Sequence, residues 1–258
     1  MTSEHFEAVE RDGYAIIPHC LDEGTIDRLL AELRRVGDGE AVSRRAGRAF
    51  GVRNLLNVLP SARVLADGAR LRALVVPILG GEARVVRGIY FDKHADANWK
   101  VAWHQDLTIA VRRQIGVEGF GPWSTKAGVT HVQPPVSVLE KMLALRLHLD
   151  NADDSNGALR VIPGTHKGGR LGAAEIQLRK EGRETITCAV PRGGVMLMRP
   201  LLLHASSVAS QPAHRRVLHF EYSSARLPGG LTWFDDGDSG HVGANAPTPS
   251  SVELEGMD

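Results

Sequence analysis

Apolar and polar positions recur with the period of amphipathic helices over the first 80 residues. In "LDEGTIDRLLAELRRV", Asp22 can cap a helix whose apolar side chains share one face, namely Ile26, Leu29, Leu30, Leu33 and Val36. The stretch "SARVLADGARLRALVVPILGG" repeats the period, with a break at Gly68 and a stop at Gly80 and Gly81. This part of the chain therefore predicts helices that pack on another layer.

From residue 84 the pattern changes to short runs rich in β-forming residues. Clusters of Gly, Pro, Asn and Asp separate them, and they read "ARVVRGIYFDK", "WKVAWHQD", "KMLALRLHLD", "ETITCAV", "GGVMLMR" and "RRVLHFEYS". Short strands after helices predict a mainly β sandwich or barrel with flanking helices. Segment 112–136 has no clear period and predicts a long loop, of the kind that often forms a lid or binding loop.

Length and composition limit the function classes. At 258 residues, we predict one domain over 1–234 and a polar tail over 235–258. A net charge of +1 makes no electrostatic case for nucleic acid or an anionic membrane, and the apolar runs are broken before they could span a bilayer. Two cysteines and no leader pattern predict a cytoplasmic protein, with a single disulfide left open.

The stretch "VAWHQDLTIAV" contains the first candidate for chemistry. Residues two apart on a strand project to one side, so His104 and Asp106 would converge if both lie inside a strand, as the five strand-compatible residues that follow predict. The pair alone is equally typical of a hydrogen-bonded couple. A second H-x-D, His148 and Asp150, opens a run of turn formers, and Asp150 is predicted to accept hydrogen bonds from backbone amides there.

A third ligand candidate is His204 in "RPLLLHASSVAS". Two imidazoles and one carboxylate leave three adjacent positions of a metal open, which is typical of non-haem Fe(II) oxygenases, whereas zinc prefers a closed or four-coordinate set. Arg215 follows the turn formers after His204, and its guanidinium could hold the carboxylate of an anionic co-substrate with two hydrogen bonds. These residues predict a metal centre beside an anion site.

At this point the chain resembles the phytanoyl-CoA dioxygenase family of Fe(II)- and 2-oxoglutarate-dependent oxygenases. The resemblance lies in "WHQD" at 103–106, "NGALRVIPGTHKGGRL" at 156–171, "GGVMLMRPLLLHASS" at 193–207 and the interval from His204 to Arg215. It extends from about residue 6 to residue 234. It implies a double-stranded β-helix, which is a jelly-roll, cupin-like barrel, with helices outside the major sheet.

The resemblance also implies roles for individual residues. Fe(II) would be held by His104, Asp106 and His204, and Arg215 would bind the far carboxylate of 2-oxoglutarate. Ser206 would contact the same carboxylate or be a turn residue only. With O2, such an enzyme would hydroxylate an unactivated C–H of a small polar molecule and release succinate and CO2. Related halogenases lack the carboxylate ligand, so Asp106 favours hydroxylation, desaturation or ring formation over halogenation.

The sequence leaves alternatives open for the residues that would contact the substrate. In "LALRLHLD", Arg146 and His148 point into the barrel if the alternating leucines pack outward against helices; otherwise the leucines face the core and Arg146 is solvated. Arg87 has the same two alternatives, in which it points into the barrel or is solvated. Trp123 either lines the pocket or anchors the long loop by apolar contact.

Other polar residues are expected to have no part in the site. Lys93 could line the mouth of the site, but we predict a solvated lysine. The remaining histidines considered are predicted to be non-ligands: His131, His166, His214, His219 and His241. Two alternatives stay open beside the oxygenase. One is a cupin-like metal-dependent isomerase or hydrolase, and the other is a non-catalytic relative that binds ligands.

Overall fold

The computed structural model describes residues 2–39, 41–45 and 48–235. The predicted tail, apart from Asp235, and His241 lie outside the described residues. The helices are α1 Ser3–Asp12, α2 Glu23–Leu33, α3 Leu55–Val58, α4 Pro60–Asp67, α5 Ala69–Leu79, α6 Val136–Leu139 and α7 Ala173–Glu181. The strands are β1 Tyr14–Ile17, β2 Val42–Arg45, β3 Arg48–Val52, β4 Arg84–Lys93, β5 Val101–His104, β6 Ile109–Val111, β7 Trp123–Lys126, β8 Val129–Val132, β9 Met142–His148, β10 Leu159–Val161, β11 Ile186–Thr187, β12 Val195–Met198, β13 His204–Ser206 and β14 Arg215–Ser223.

The predicted helices begin and end at the capping and helix-breaking residues that the sequence indicated. Asp22 accepts a hydrogen bond of 2.9 Å from the backbone N–H of Thr25 at the start of α2. Gly68 separates α4 from α5, and α5 ends at Gly80. The apolar faces of these helices belong to one buried cluster that includes Leu145 and Leu147 of β9. Helices therefore cover the outer face of the sheet that contains β9.

Two antiparallel sheets form the body of the fold. The larger has seven strands in the order β1-β12-β9-β14-β4-β3-β2, and the smaller has four in the order β11-β10-β13-β5. Inward side chains of both sheets line one common cavity. The prediction of a mainly β fold with flanking helices is thus confirmed, and the site lies between the two sheets.

Segment 112–136 is more ordered than the sequence predicted. It contains β7 and β8, which form a third sheet in the order β6-β8-β7. Ala127 and Gly128 both have positive φ, 49° and 73°, in the two-residue turn between these strands. Val132 is buried opposite Ile109. The prediction of an uninterrupted long loop is wrong because this hairpin is too short to show a clear period.

Two other features of the chain bear on its setting. Cys20 and Cys188 are both free thiols, which settles the disulfide left open by the sequence. Among the described residues, none of the helices combines the length and the apolar character that crossing a membrane would require.

Candidate metal centre and active site

The two sheet partners β5 and β13 bring three metal-ligating side chains together. His104 ends β5 and His204 begins β13, and the two are direct partners across the sheet. Asp106 Oδ1 lies 3.7 Å from His104 Nε2, and Asp106 Oδ2 lies 3.7 Å from His204 Nε2. The three ligand atoms all lie within 4.8 Å of one another. Since metal–ligand bonds of about 2.1 Å allow two ligands of one ion to be up to about 4.2 Å apart, these 3.7 Å separations suit a single ion.

Asp106 does not lie inside a strand, contrary to the sequence prediction. Strand β5 ends at His104, and Asp106 follows outside the regular strand pairing. Its backbone N–H donates a 2.9 Å hydrogen bond to the carbonyl of Pro200 instead. The carboxylate therefore reaches the two imidazoles from the rim of the sheet.

Gln105 holds this turn of the chain in place, a role that the sequence analysis missed. Gln105 lies between His104 and Asp106 in the chain, and its side chain is buried. Its amide nitrogen donates to the carbonyls of Leu201 (2.6 Å) and Gly169 (2.8 Å), and its oxygen accepts from the N–H of Leu171 (2.8 Å). These three bonds tie the ligand segment to the loop before β13 and to the segment before α7. The sequence signal for this role was the glutamine between the histidine and the aspartate of "WHQD".

Both histidines present the same ring nitrogen to the cavity. His104 Nδ1 lies 2.9 Å from the carbonyl of Ala102, and His204 Nδ1 lies 2.9 Å from the carbonyl of Leu202. A carbonyl only accepts, so Nδ1 carries the proton in each ring and Nε2 keeps its lone pair for a metal. Burial lowers the pKa of His204 to about 4, so the ring is neutral at physiological pH.

Arg215 supplies a buried cation at one end of the cavity. The residue is 4% exposed, and its Nε and Nη1 are buried without a hydrogen-bond partner among the described residues. Burial lowers its pKa to about 10, which leaves it charged at neutral pH. A buried guanidinium with unused N–H groups is costly unless an anion completes it. The arrangement fits the carboxylate of a co-substrate such as 2-oxoglutarate.

Lys93 is buried beside Arg215, so the prediction of a solvated lysine is wrong. The two residues are direct partners on β4 and β14, which turns both side chains to the same interior face. Lys93 Nζ donates to Ser206 Oγ (2.8 Å) and to the carbonyl of Ser207 (2.6 Å). Ser206 Oγ in turn donates to the carbonyl of Gly157 (2.8 Å). Ser206 is therefore part of a buried network next to Arg215 rather than an exposed turn residue.

The cavity itself has a volume of about 470 Å³. Its walls include the three metal-ligand candidates, Arg215 and Ser206, and polar residues from the larger sheet, of which Arg87 and Arg146 were predicted from sequence. A space of this size is typical of sites for small molecules.

A line of charged and polar side chains crosses the larger sheet along the cavity floor. Arg87 Nη1 donates to Glu221 Oε1 at 3.1 Å, and Glu221 Oε1 lies 3.6 Å from His219 Nε2. Arg146 Nη1 donates to His219 Nδ1 at 3.0 Å. Because a guanidinium only donates, His219 must carry its proton on Nε2, which faces Glu221. Burial opposes ionisation of Glu221, but Arg87 and His219 outweigh it and lower the pKa.

The sequence analysis did not single out Glu221, and it set His219 aside as a non-ligand. In "RRVLHFEYS" every second side chain points inward, but the inward set becomes identifiable only from the register of β14 against β4 and β9. Neither residue belongs to the metal-ligand group. Both nevertheless line the cavity.

The inward orientation of Arg146 and His148 agrees with one of the two sequence alternatives. The leucines that alternate with them, Leu145, Leu147 and Leu149, belong to the cluster under the helices, and Arg146 lines the cavity. His148 is buried, both of its ring nitrogens lack a hydrogen-bond partner within the described part of the chain, and it is not among the cavity-lining residues. Asp150 accepts from the backbone N–H of Arg216 (2.9 Å) and pairs with its guanidinium, as a strand-end residue.

Trp123 lies away from the cavity. Its side chain packs, partly buried, against the apolar cluster that contains Trp233 and Val132, and it is absent from the cavity wall. This packing agrees with the second of the two sequence alternatives, in which Trp123 anchors the long loop by apolar contact.

Comparisons with solved structures identify the fold. AviO1 from Streptomyces viridochromogenes superposes with a TM-score of 0.65 at 20% identity, covering 88% of this chain and 96% of that one. EctD from S. alaskensis, in its crystal structure with 2-oxoglutarate and 5-hydroxyectoine, superposes with a TM-score of 0.66 at 18% identity, covering 86% and 76%. The predicted double-stranded β-helix is confirmed.

Comparisons of sequence identify the family. The ectoine dioxygenase of Stutzerimonas stutzeri is 25% identical over 255 residues, which cover 86% of this chain and 77% of that protein. Residues 9–217, about four fifths of the chain, match the family model of phytanoyl-CoA dioxygenase. The chain therefore belongs to the phytanoyl-CoA dioxygenase family of Fe(II)- and 2-oxoglutarate-dependent oxygenases, which confirms the predicted enzyme class and its cofactors.

Proposed function

We propose that this enzyme hydroxylates an unactivated C–H of a small polar molecule, using Fe(II) held by His104, Asp106 and His204 and 2-oxoglutarate held by Arg215. One observation carries the proposal. The three ligand atoms lie within 4.8 Å of one another in the same cavity as a buried guanidinium with two unused nitrogens. Metal ligands and an anion site in one chamber are what a metal-chelating dicarboxylate requires.

The bound metal and co-substrate supply the oxidising chemistry, in which O2 is consumed and succinate and CO2 are released. The chain supplies ligands, orientation and charge. The carbonyls of Ala102 and Leu202 hold the two imidazoles in the tautomer that leaves Nε2 free. Gln105 restrains the segment that carries Asp106, and this outer support matters because such contacts set how ligands are oriented toward a metal.

The far end of the co-substrate would meet a strongly positive surface. Arg215 is available for two hydrogen bonds to a carboxylate, and Lys93 adds a second buried cation through its bond to Ser206. This charge supports the oxygenase over an isomerase or hydrolase built on the same barrel, because neither of those reactions requires an anionic co-substrate. Asp106 supports hydroxylation over halogenation because a carboxylate occupies the ligand position.

Domain organisation and location form part of the same proposal. The cavity draws its walls from residues between Arg53 and Glu221, which supports one oxygenase domain over 1–234. Two free thiols suit a reducing setting, and we infer a cytoplasmic enzyme.

The decisive experiment is an anaerobic titration of Fe(II) and 2-oxoglutarate into metal-free protein. We expect the weak visible charge-transfer band of the chelate in wild type and its loss in His204→Ala. The variant His5→Ala serves as the control, since His5 lies outside the cavity wall and, among the described residues, its side chain is hydrogen-bonded only to Thr2 at the start of α1. Metal binding without the band in wild type would overturn the proposal and favour the isomerase or hydrolase.

A further inference from the structure

The cavity carries more positive charge than its cofactors neutralise. Of the described residues that line it, five are cationic and two are carboxylates, so cations are in excess by three: Arg53, Arg87, Lys126, Arg146 and Arg215 against Asp106 and Glu221. A bound Fe(II) and the dianion of 2-oxoglutarate cancel each other in charge. The excess therefore persists in the loaded enzyme and requires a counter-charge from whatever else enters the cavity.

The buried cations of the floor already have partners. Arg87 is bound to Glu221, and Arg146 is bound to His219. Arg215 faces the proposed co-substrate end. Arg146 keeps its positive charge because its partner His219 is not an anion. The remaining two lining cations add to this excess, and they have no anionic partner among the described residues.

Arg53 and Lys126 are those two residues. Arg53 directly follows β3 of the larger sheet, and Lys126 ends β7 of the three-stranded sheet. Both are exposed, which places them at the mouth of the cavity. Among the described residues, neither side chain has a hydrogen bond or an ion pair.

The cations at the mouth lie close enough to Arg87 to repel one another. Partial burial first, and then the charges of Arg87 and Arg53, lower the pKa of Lys126. Burial first, and then the charge of Arg87, lower the pKa of Arg53. Arg53 and Lys126 have no anionic partner of their own among the described residues, so their repulsion raises the free energy of the empty site, and an anion bound between them relieves it.

We propose that the substrate carries an anionic group, a carboxylate or a sulfate- or phosphate-type ester, that is bound by Arg53 and Lys126 at the mouth while the rest of the molecule extends toward the metal centre. This inference rests on the proposed function, because it assumes that the metal and 2-oxoglutarate fill the opposite end. The floor formed by Arg87, Glu221, His219 and Arg146 would then contact polar groups in the middle of the substrate.

The test uses inorganic sulfate and, in a parallel arm, acetate as probes. The protein is loaded with Ni(II), which does not turn over, and saturated with 2-oxoglutarate so that Arg215 is occupied. Anion binding is measured calorimetrically at constant ionic strength for wild type, for the Arg53→Gln/Lys126→Gln double variant and for the Arg113→Gln/Lys100→Gln control. Arg113 and Lys100 are exposed residues outside the cavity wall.

We expect saturable binding of at least one probe by wild type and by the control, and a loss of about tenfold or more in affinity in the double variant. Binding of sulfate would identify the anionic group of the substrate as a sulfate- or phosphate-type group, and binding of acetate would identify it as a carboxylate. Equal affinity in the double variant, or no saturable binding of either probe by wild type, would overturn the proposal. A failure of the proposed function is distinguishable from a failure of this inference. It would appear as a missing charge-transfer band in the titration of Fe(II) and 2-oxoglutarate, before any sulfate is added.

Discussion

The buried Lys93 makes the affinity for 2-oxoglutarate depend on pH. Burial first, and then the neighbouring Arg215, lower the pKa of Lys93 to about 8 in the protein without co-substrate. A bound dianion near these two cations favours the charged ammonium and raises that pKa. The protonated protein therefore binds 2-oxoglutarate more tightly, so affinity is full below pH 8 and is lost as the pH rises through 8.

The size of the effect follows from this pKa. At pH 7 about nine tenths of the lysine is protonated in the free protein, and at pH 9 about one tenth is. The dissociation constant of 2-oxoglutarate should therefore rise about tenfold between pH 7 and pH 9 in wild type. In Lys93→Met the dependence should vanish, and the affinity at pH 7 should be weaker than that of wild type.

Calorimetric titration of 2-oxoglutarate into Ni(II)-loaded protein at several pH values measures this directly. Lys100→Met is the matched control, because Lys100 is exposed and lies outside the cavity wall. A flat profile in wild type, or the same slope in Lys93→Met as in wild type, would refute the reasoning. The second result would show that another group titrates.

Three further outcomes are expected. Asp106→Ala should abolish iron binding or turnover with an unchanged thermal midpoint, and retained turnover would mean that Asp106 is not the carboxylate ligand. Arg215→Ala should raise the 2-oxoglutarate concentration for half-maximal succinate release by about 10- to 100-fold, because a charge-assisted pair is lost; an unaltered requirement would place the co-substrate elsewhere. Leu147→Ala should lower the free energy of unfolding by about 2–5 kcal/mol in urea denaturation, since Leu147 is fully buried between sheet and helices. Leu178→Ala, 68% exposed, should change it by less than about 0.5 kcal/mol, and equal effects would contradict the packing argument.

Local signals accounted for the features that the sequence predicted well. Asp22 and Gly68 delimit helices by capping and by interruption, and these depend on neighbours in the chain. The His104–Asp106 spacing combined with His204 was readable because the chemistry demands a small set of residue types. The fold class followed from the change of period near residue 84.

Register and tertiary contacts governed the features that the sequence could not supply. The burial of Lys93 depends on its pairing with Arg215 across two strands more than 100 positions apart. Glu221 reaches the cavity because β14 bonds to both β4 and β9 in one particular alignment. Asp106 leaves the strand because Pro200 provides a carbonyl from a distant loop. A one-residue slip in any of these alignments would reverse which side chains face inward.

The two sheets supply different parts of the site. The metal-ligand candidates come from the four-stranded sheet and the segment next to it, whereas the floor that faces the substrate comes from β4, β9 and β14 of the seven-stranded sheet. Inward positions of those three strands, apart from Lys93 and Arg215, can therefore be varied to change which molecule is accepted without disturbing the metal-ligand candidates or the proposed 2-oxoglutarate end. An engineering library confined to them should yield altered selectivity while retaining uncoupled consumption of 2-oxoglutarate.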